Sequence, residues 1–101
     1  MTTVAIVGDL MDRSKLTAAF PGLIFARDAA GCVDASTVIV DLARHAGEIA
    51  ELRAVAPTAR IICFGPHVDV DRAEQARSDG ADVVLARSQF FRDPAAAIAE
   101  R

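Results

Sequence analysis

The sequence has no apolar run long enough to enter a membrane. Its amino-terminal stretch, MTTVAIVGDLMDR, offers only Val4 to Val7 before Gly8 and Asp9, far short of a signal-peptide core or a spanning helix. A soluble, cytoplasmic protein is therefore expected. Cysteine is scarce as well: Cys32 and Cys63 stand alone, without a CxxC or a neighbouring histidine. Neither a zinc site nor a disulfide framework is indicated, and both read as small buried thiols. No segment concentrates Lys and Arg, and a net charge of −3 gives no pull toward nucleic acid. Gly8, Gly65 and Gly80 form neither a GxGxxG nor a P-loop, so no nucleotide fingerprint is present. Ser88 lacks a nucleophile elbow, which argues against serine hydrolysis.

What remains is a chain of 101 residues, 52% apolar, with no low-complexity tract. That length predicts one domain over residues 1–101 and no appended output module. Runs rich in Val and Ile recur at TVAIV (3–7), GLIFA (22–26), TVIV (37–40), IICF (61–64) and DVVLA (82–86). Each is continuous, the pattern of a strand covered on both faces. Segments of helical spacing lie between several of them, which implies crossovers and parallel pairing.

The helix ends are legible. Asp93-Pro94 is an N-cap followed by proline at the first helical position. Asp69 caps VDRAEQARSD, which Gly80 closes in the left-handed conformation. EIAELRAVA carries Ile49, Leu52 and Val55/Ala56 on one face before Pro57 stops it. A short first helix is predicted from Asp12 to Phe20. Five parallel strands with right-handed crossovers give an α/β, doubly wound, flavodoxin-like sheet of order 2-1-3-4-5.

One connection is short. RDAAGCVDAS, 27–36, must cross two strand spacings and run one strand length backward, roughly 20 Å. Ten residues reach about 30 Å when extended but only about 15 Å as helix, so the second helix is expected to be missing or reduced to a loop. Either a patch near Leu23, Ile24 and Phe25 is left open to another chain, or Ala29, Ala30, Cys32 and Val33 fold down and seal it.

In an open parallel sheet, ligands collect at the carboxyl ends of the strands, where strand order reverses. That point lies between strands one and three and brings Asp9 together with Asp41. Two close carboxylates raise each other's pKa unless a cation neutralises them, which suits magnesium at Asp9 and Asp41. Asp41 would then be a candidate nucleophile toward a phosphoryl donor. Equally, both acids can serve only as caps of strand-to-helix turns. His45 and His67 also follow strands and present a His/His/Asp metal alternative.

Taken in order along the chain, four of these features resemble the receiver domain of two-component response regulators. They are the acid in AIVGDLMDRSKL, the aspartate ending VIVDLAR, the strand IICFGP, and DGADVVLARS through strand five. The resemblance implies a phosphoacceptor at Asp41 and departs at four positions around it. The paired acids after strand one read Gly8-Asp9, the hydroxyl switch falls on Gly65, the Lys-Pro pair on Arg87-Ser88, and the aromatic switch on Val84. Arg and Lys are not equivalent there. Arg87 is either a surface cation at a strand end or the partner of Asp41 or Asp9 in an ion pair that stands in for magnesium.

The resemblance therefore implies a degenerate, stand-alone receiver, or pseudo-receiver, in bacterial signalling or transcriptional control. It would act by binding a protein partner or by homodimerising, without enzymatic activity, a resident cofactor, direct nucleic-acid contact or a membrane. Phe90 and Phe91, ahead of an Ala-rich helix, are candidate interaction residues, the alternative being that one of the two fills the core beneath the sheet. The alternatives are a phospho-accepting regulator using Asp41, Asp9 and magnesium, and a sensor of a small anionic ligand using His67 and Arg87.

Overall fold

The computed structural model describes residues 2–66 and 69–99. Five strands form one parallel sheet, β1 (Thr3–Ile6), β2 (Ile24–Phe25), β3 (Thr37–Asp41), β4 (Arg60–Gly65) and β5 (Val83–Ala86), in the order β2-β1-β3-β4-β5. This is the flavodoxin-like arrangement predicted from the apolar runs. The helices are α1 (Leu10–Ala19), α2 (Leu42–His45), α3 (Ile49–Val55), α4 (Val70–Asp79), α5 (Arg87–Arg92) and α6 (Pro94–Ala99).

Register sorts the core into two layers. Ile6, Val40, Cys63 and Val84 align across four strands and pack with Ile49 and Leu52 of α3 and Ala76 of α4. Ala5, Ile39, Ile62 and Val83 form the adjacent row, facing Leu16 of α1, Phe90 of α5 and Ala97 of α6. Because side chains alternate along each strand, neighbouring rows serve opposite layers, and both faces are covered.

The caps form as the sequence predicts. The Asp69 carboxylate accepts from the Arg72 N–H at 2.8 Å, and Gly80, at φ 125°, ends α4. A β-carbon at Gly80 would also lie 2.8 Å from Cβ of Arg53, so backbone and packing both demand glycine there. The Asp93 carboxylate accepts from the Ala96 N–H at the start of α6. Helix α1 begins two residues earlier than its apolar spacing suggests, because Asp9 is its cap, accepting from the Asp12 N–H at 3.0 Å.

The short link between β2 and β3 holds a single 3-10 turn, Ala29–Cys32, as its reach requires. Both sequence alternatives hold in part. Ala29 and Cys32 are fully buried and the turn packs on α3, while Ile24 and Val33 stay 52% and 56% exposed. Gly31 lets the turn lie this close, since a β-carbon there would meet Cβ of Ala26 at 2.8 Å. Both thiols are free and buried. Burial pushes Cys32 up to about 11 and Cys63 up to about 12, so neither is a ready nucleophile.

A correction concerns the segment after β5. Spacing suggested two aromatic residues ahead of one Ala-rich helix, but a separate helix, α5, starts directly at Arg87. It turns Phe90 fully into the core, stacked on Phe64 at 4.9 Å between ring centroids, with Phe91 edge-on to both rings at 5.1 and 5.0 Å. Of the two alternatives for Phe90, the core one holds, and it is not an interaction-surface residue. Its ring fills the layer beneath the sheet, where truncation to alanine costs about 3–5 kcal/mol.

Candidate functional site

At the carboxyl edge of the sheet, β1 hands over to α1 through Gly8 and Asp9, and β3 ends on Asp41. Both acids sit beside the switch point between β1 and β3, as expected. Each is already committed to a helix end: one Asp9 oxygen accepts from the Asp12 N–H and one Asp41 oxygen accepts from the Ala43 N–H, each at 3.0 Å. The Asp12 amide bond holds the Asp9 carboxyl below its ordinary pKa. Asp41 is 5% exposed.

The centre of the site is a residue the sequence reading did not select. The Asp12 carboxylate, one turn into α1, is gripped on both oxygens by Arg87, with Nη1 at 2.8 Å from Oδ2 and Nη2 on Oδ1. The expectation that Arg87 would pair with Asp41 or Asp9 is thus corrected. Those two acids are near enough to add to its charge stabilisation, but the guanidinium fork is taken by Asp12. Hydrogen bonding to Asp12 raises the Arg87 pKa first, followed by attraction to Asp12, Asp41 and Asp9. A bidentate, charge-assisted contact is the strong form of such a pair.

Sequence did hold a signal for Asp12. With Leu16 it forms an i, i+4 pair on the buried face of α1, so an acid occupies a position where the helical stripe calls for an apolar side chain. What sequence could not show was the partner, 75 residues away.

Arg87 is further fixed by aromatic rings. Its Cζ lies 5.0 Å from the Phe91 centroid and 5.8 Å from that of Phe64, in reach of cation–π attraction. Gly8 has room for a side chain, a β-carbon there meeting only Arg44 Nη1 at 3.9 Å. Gly65 closes β4 beside Ala86, and Val84 is buried in the α3 and α4 layer.

Fit to a divalent cation is poor. Among the described residues no three His, Cys, Asp or Glu side chains converge as a metal cradle, and a guanidinium already occupies the cationic position among the acids. The His45 ring is paired with Glu48 at 2.6 Å within its own turn. His67 lies outside the described residues.

The sequence matches no protein-family model and no curated protein. Solved structures share the fold. A response regulator from Burkholderia pseudomallei with a phosphorylated aspartic acid, a calcium ion and citrate superposes at a TM-score of 0.79 and 24% identity, over 95% of this chain and 65% of that one. This chain thus spans less than two thirds of that protein. A response regulator from Thermotoga maritima gives 0.74 at 16% identity over 98% of both chains. The signal receiver domain of a DNA-binding response regulator from Colwellia psychrerythraea 34H gives 0.70 at 12% identity, over 99% of this chain and 100% of that one. The fold is therefore that of response-regulator receiver domains. No helix among the described residues is long and apolar enough to cross a membrane.

Proposed function

We propose that this chain is a receiver-like module that works by protein–protein interaction and is not switched by ordinary phosphorylation. The observation that carries this reading is the Arg87–Asp12 pair. It supplies a built-in cation at the mouth and fastens the start of α5 to α1. A phosphoryl group on Asp41 would meet a guanidinium whose fork is held in place by Asp12 rather than free to swing to Asp41, with no hydroxyl at Gly65 and no aromatic ring at Val84 to relay its arrival. A binding role in bacterial signalling or transcriptional control follows, with a protein partner or a second copy as the occupant and no chemistry turned over.

One observation favours the phospho-accepting reading. Asp41 ends β3 at the switch point, and the Burkholderia neighbour contains a phosphorylated aspartic acid. Beryllofluoride or acetyl phosphate with millimolar magnesium separates the two. Amide resonances of residues 9, 41 to 43 and 65 stay in place if the pair has replaced the switch; saturable shifts there, abolished in Asp41→Asn, overturn our reading.

A further inference from the structure

On the α1 side of Arg87 a shallow cavity of about 360 Å³ opens, lined by Lys15, Pro66, Arg87, Ser88 and Phe91. Its size is at the small end of ligand sites, and its chemistry is one-sided. Lys15 Nζ lies 5.2 Å and Arg87 Cζ 5.0 Å from the same Phe91 ring. Two positive charges therefore converge on one aromatic side chain, in a chain whose net charge is −3. The acid paired with Arg87, Asp12, is buried with only 2% of its side chain exposed, whereas Arg87 is 38% exposed; Asp41 and Asp9, which also attract Arg87, are not among the residues lining the cavity. The two charged side chains that line the cavity are both cations.

Both cations have donors to offer. An arginine carries five N–H donors, and Arg87 commits two to Asp12. Lys15 makes no ion pair with a described residue. The Ser88 side chain, exposed at the start of α5, adds a hydroxyl at the rim. Guanidinium, ammonium and hydroxyl around one opening match a tetrahedral oxyanion of double charge, and Phe91 with Pro66 gives an apolar wall for whatever that oxyanion is attached to.

We propose that this cavity binds a small phosphate-bearing molecule, its phosphate held by Lys15, Arg87 and Ser88 and its organic part resting on Phe91 and Pro66. The site is distinct from Asp41 and needs no magnesium. It would let a diffusible ligand tighten the α1–α5 junction, since the phosphate bridges Lys15 on one helix and Arg87 and Ser88 on the other.

The test is titration of the full chain with phenyl phosphate, inorganic phosphate and phenol, in low-salt buffer without magnesium, followed by amide resonances. Phenyl phosphate is expected to shift residues 15, 87, 88 and 91 saturably and to bind more tightly than inorganic phosphate, while phenol leaves them unmoved. Lys15→Gln, an exposed change that spares the fold, is expected to weaken binding about tenfold, the value of one charge-assisted hydrogen bond. Asp41→Asn is expected to retain the shifts, separating this site from any phosphorylation at Asp41. Absence of saturable shifts at about 10 mM phenyl phosphate, or shifts unchanged in Lys15→Gln and Ser88→Ala, would overturn the proposal.

Discussion

Two arginine–aspartate pairs sit at opposite ends of this sheet, and their difference separates support from site. At the amino end, Arg53 of α3 makes five hydrogen bonds: two to the Gly80 carbonyl, one each to the carbonyls of Pro57 and Ala59, and one to Asp82. The Asp82 carboxylate also accepts from the Ile61 N–H at 2.8 Å. Every nitrogen of that guanidinium is used, and mostly on backbone carbonyls. At the carboxyl end Arg87 hydrogen-bonds one carboxylate among the described residues, through two of its five donors, and borders a cavity. A cation with all its hydrogen bonds made is a strut; one with donors to spare at an opening can still bind.

The comparison can be broken most sharply at Arg87 itself. Replacing Arg87 with Ala leaves Asp12 as a buried carboxylate without its partner and is expected to cost about 3 kcal/mol, about 15 °C in Tm for a domain of this size. Asp12→Ala should cost much less, because the exposed side of Arg87 can turn to water. Equal losses in the two variants, read by thermal unfolding, would show that Asp12 is not the desolvated member.

Next comes Arg53→Met, which keeps the aliphatic stem but removes the donors. We expect a loss of about 2 kcal/mol, reduced from the full cost of orphaned acceptors because the pair with Asp82 is partly exposed. Phenyl phosphate shifts should be unchanged in this variant, since the strut lies at the far end of the sheet. Gly80→Ala, forced into the left-handed region and against Arg53, should cost about 1.5 kcal/mol. A neutral result in denaturant unfolding would mean that α3 and the α4–β5 turn are not locked as described.

The smallest effect concerns Asp9. Its pKa is lowered in the folded chain by the Asp12 amide, so its contribution is present above the unfolded value near 3.8 and is lost as pH falls through the lower folded value. Asp9→Asn keeps an acceptor for the cap but cannot titrate. Its acid unfolding profile should therefore be flatter on the low-pH side than that of the parent. Superimposable slopes would remove Asp9 from the pH response.

Much of this was legible in residues alone, for local reasons. Continuous Val and Ile runs are dictated by burial on both faces, and the caps at Asp69, Gly80 and Asp93 are dictated by backbone valence within a few residues. The short link 27–36 had to be a loop because its contour length allowed nothing else. The site was half legible. Asp9 and Asp41 are placed by topology, which the strand pattern reveals, but Asp12 looked like an ordinary first-turn acid. Phe90 and Phe91 are adjacent in sequence, and only the start of α5 at Arg87 decided that one ring enters the core while the other borders an opening.

The order of the strands and the ends of α4 and α6 follow from local sequence, because hydrophobic period and end signals act over distances of a few residues. Tertiary structure alone decided which acid Arg87 would take. Asp9, Asp12 and Asp41 all add to its electrostatic stabilisation, and the choice among them rests on the angle and depth at which α1 and α5 pack on the sheet, a property of the assembled core that no local stretch encodes.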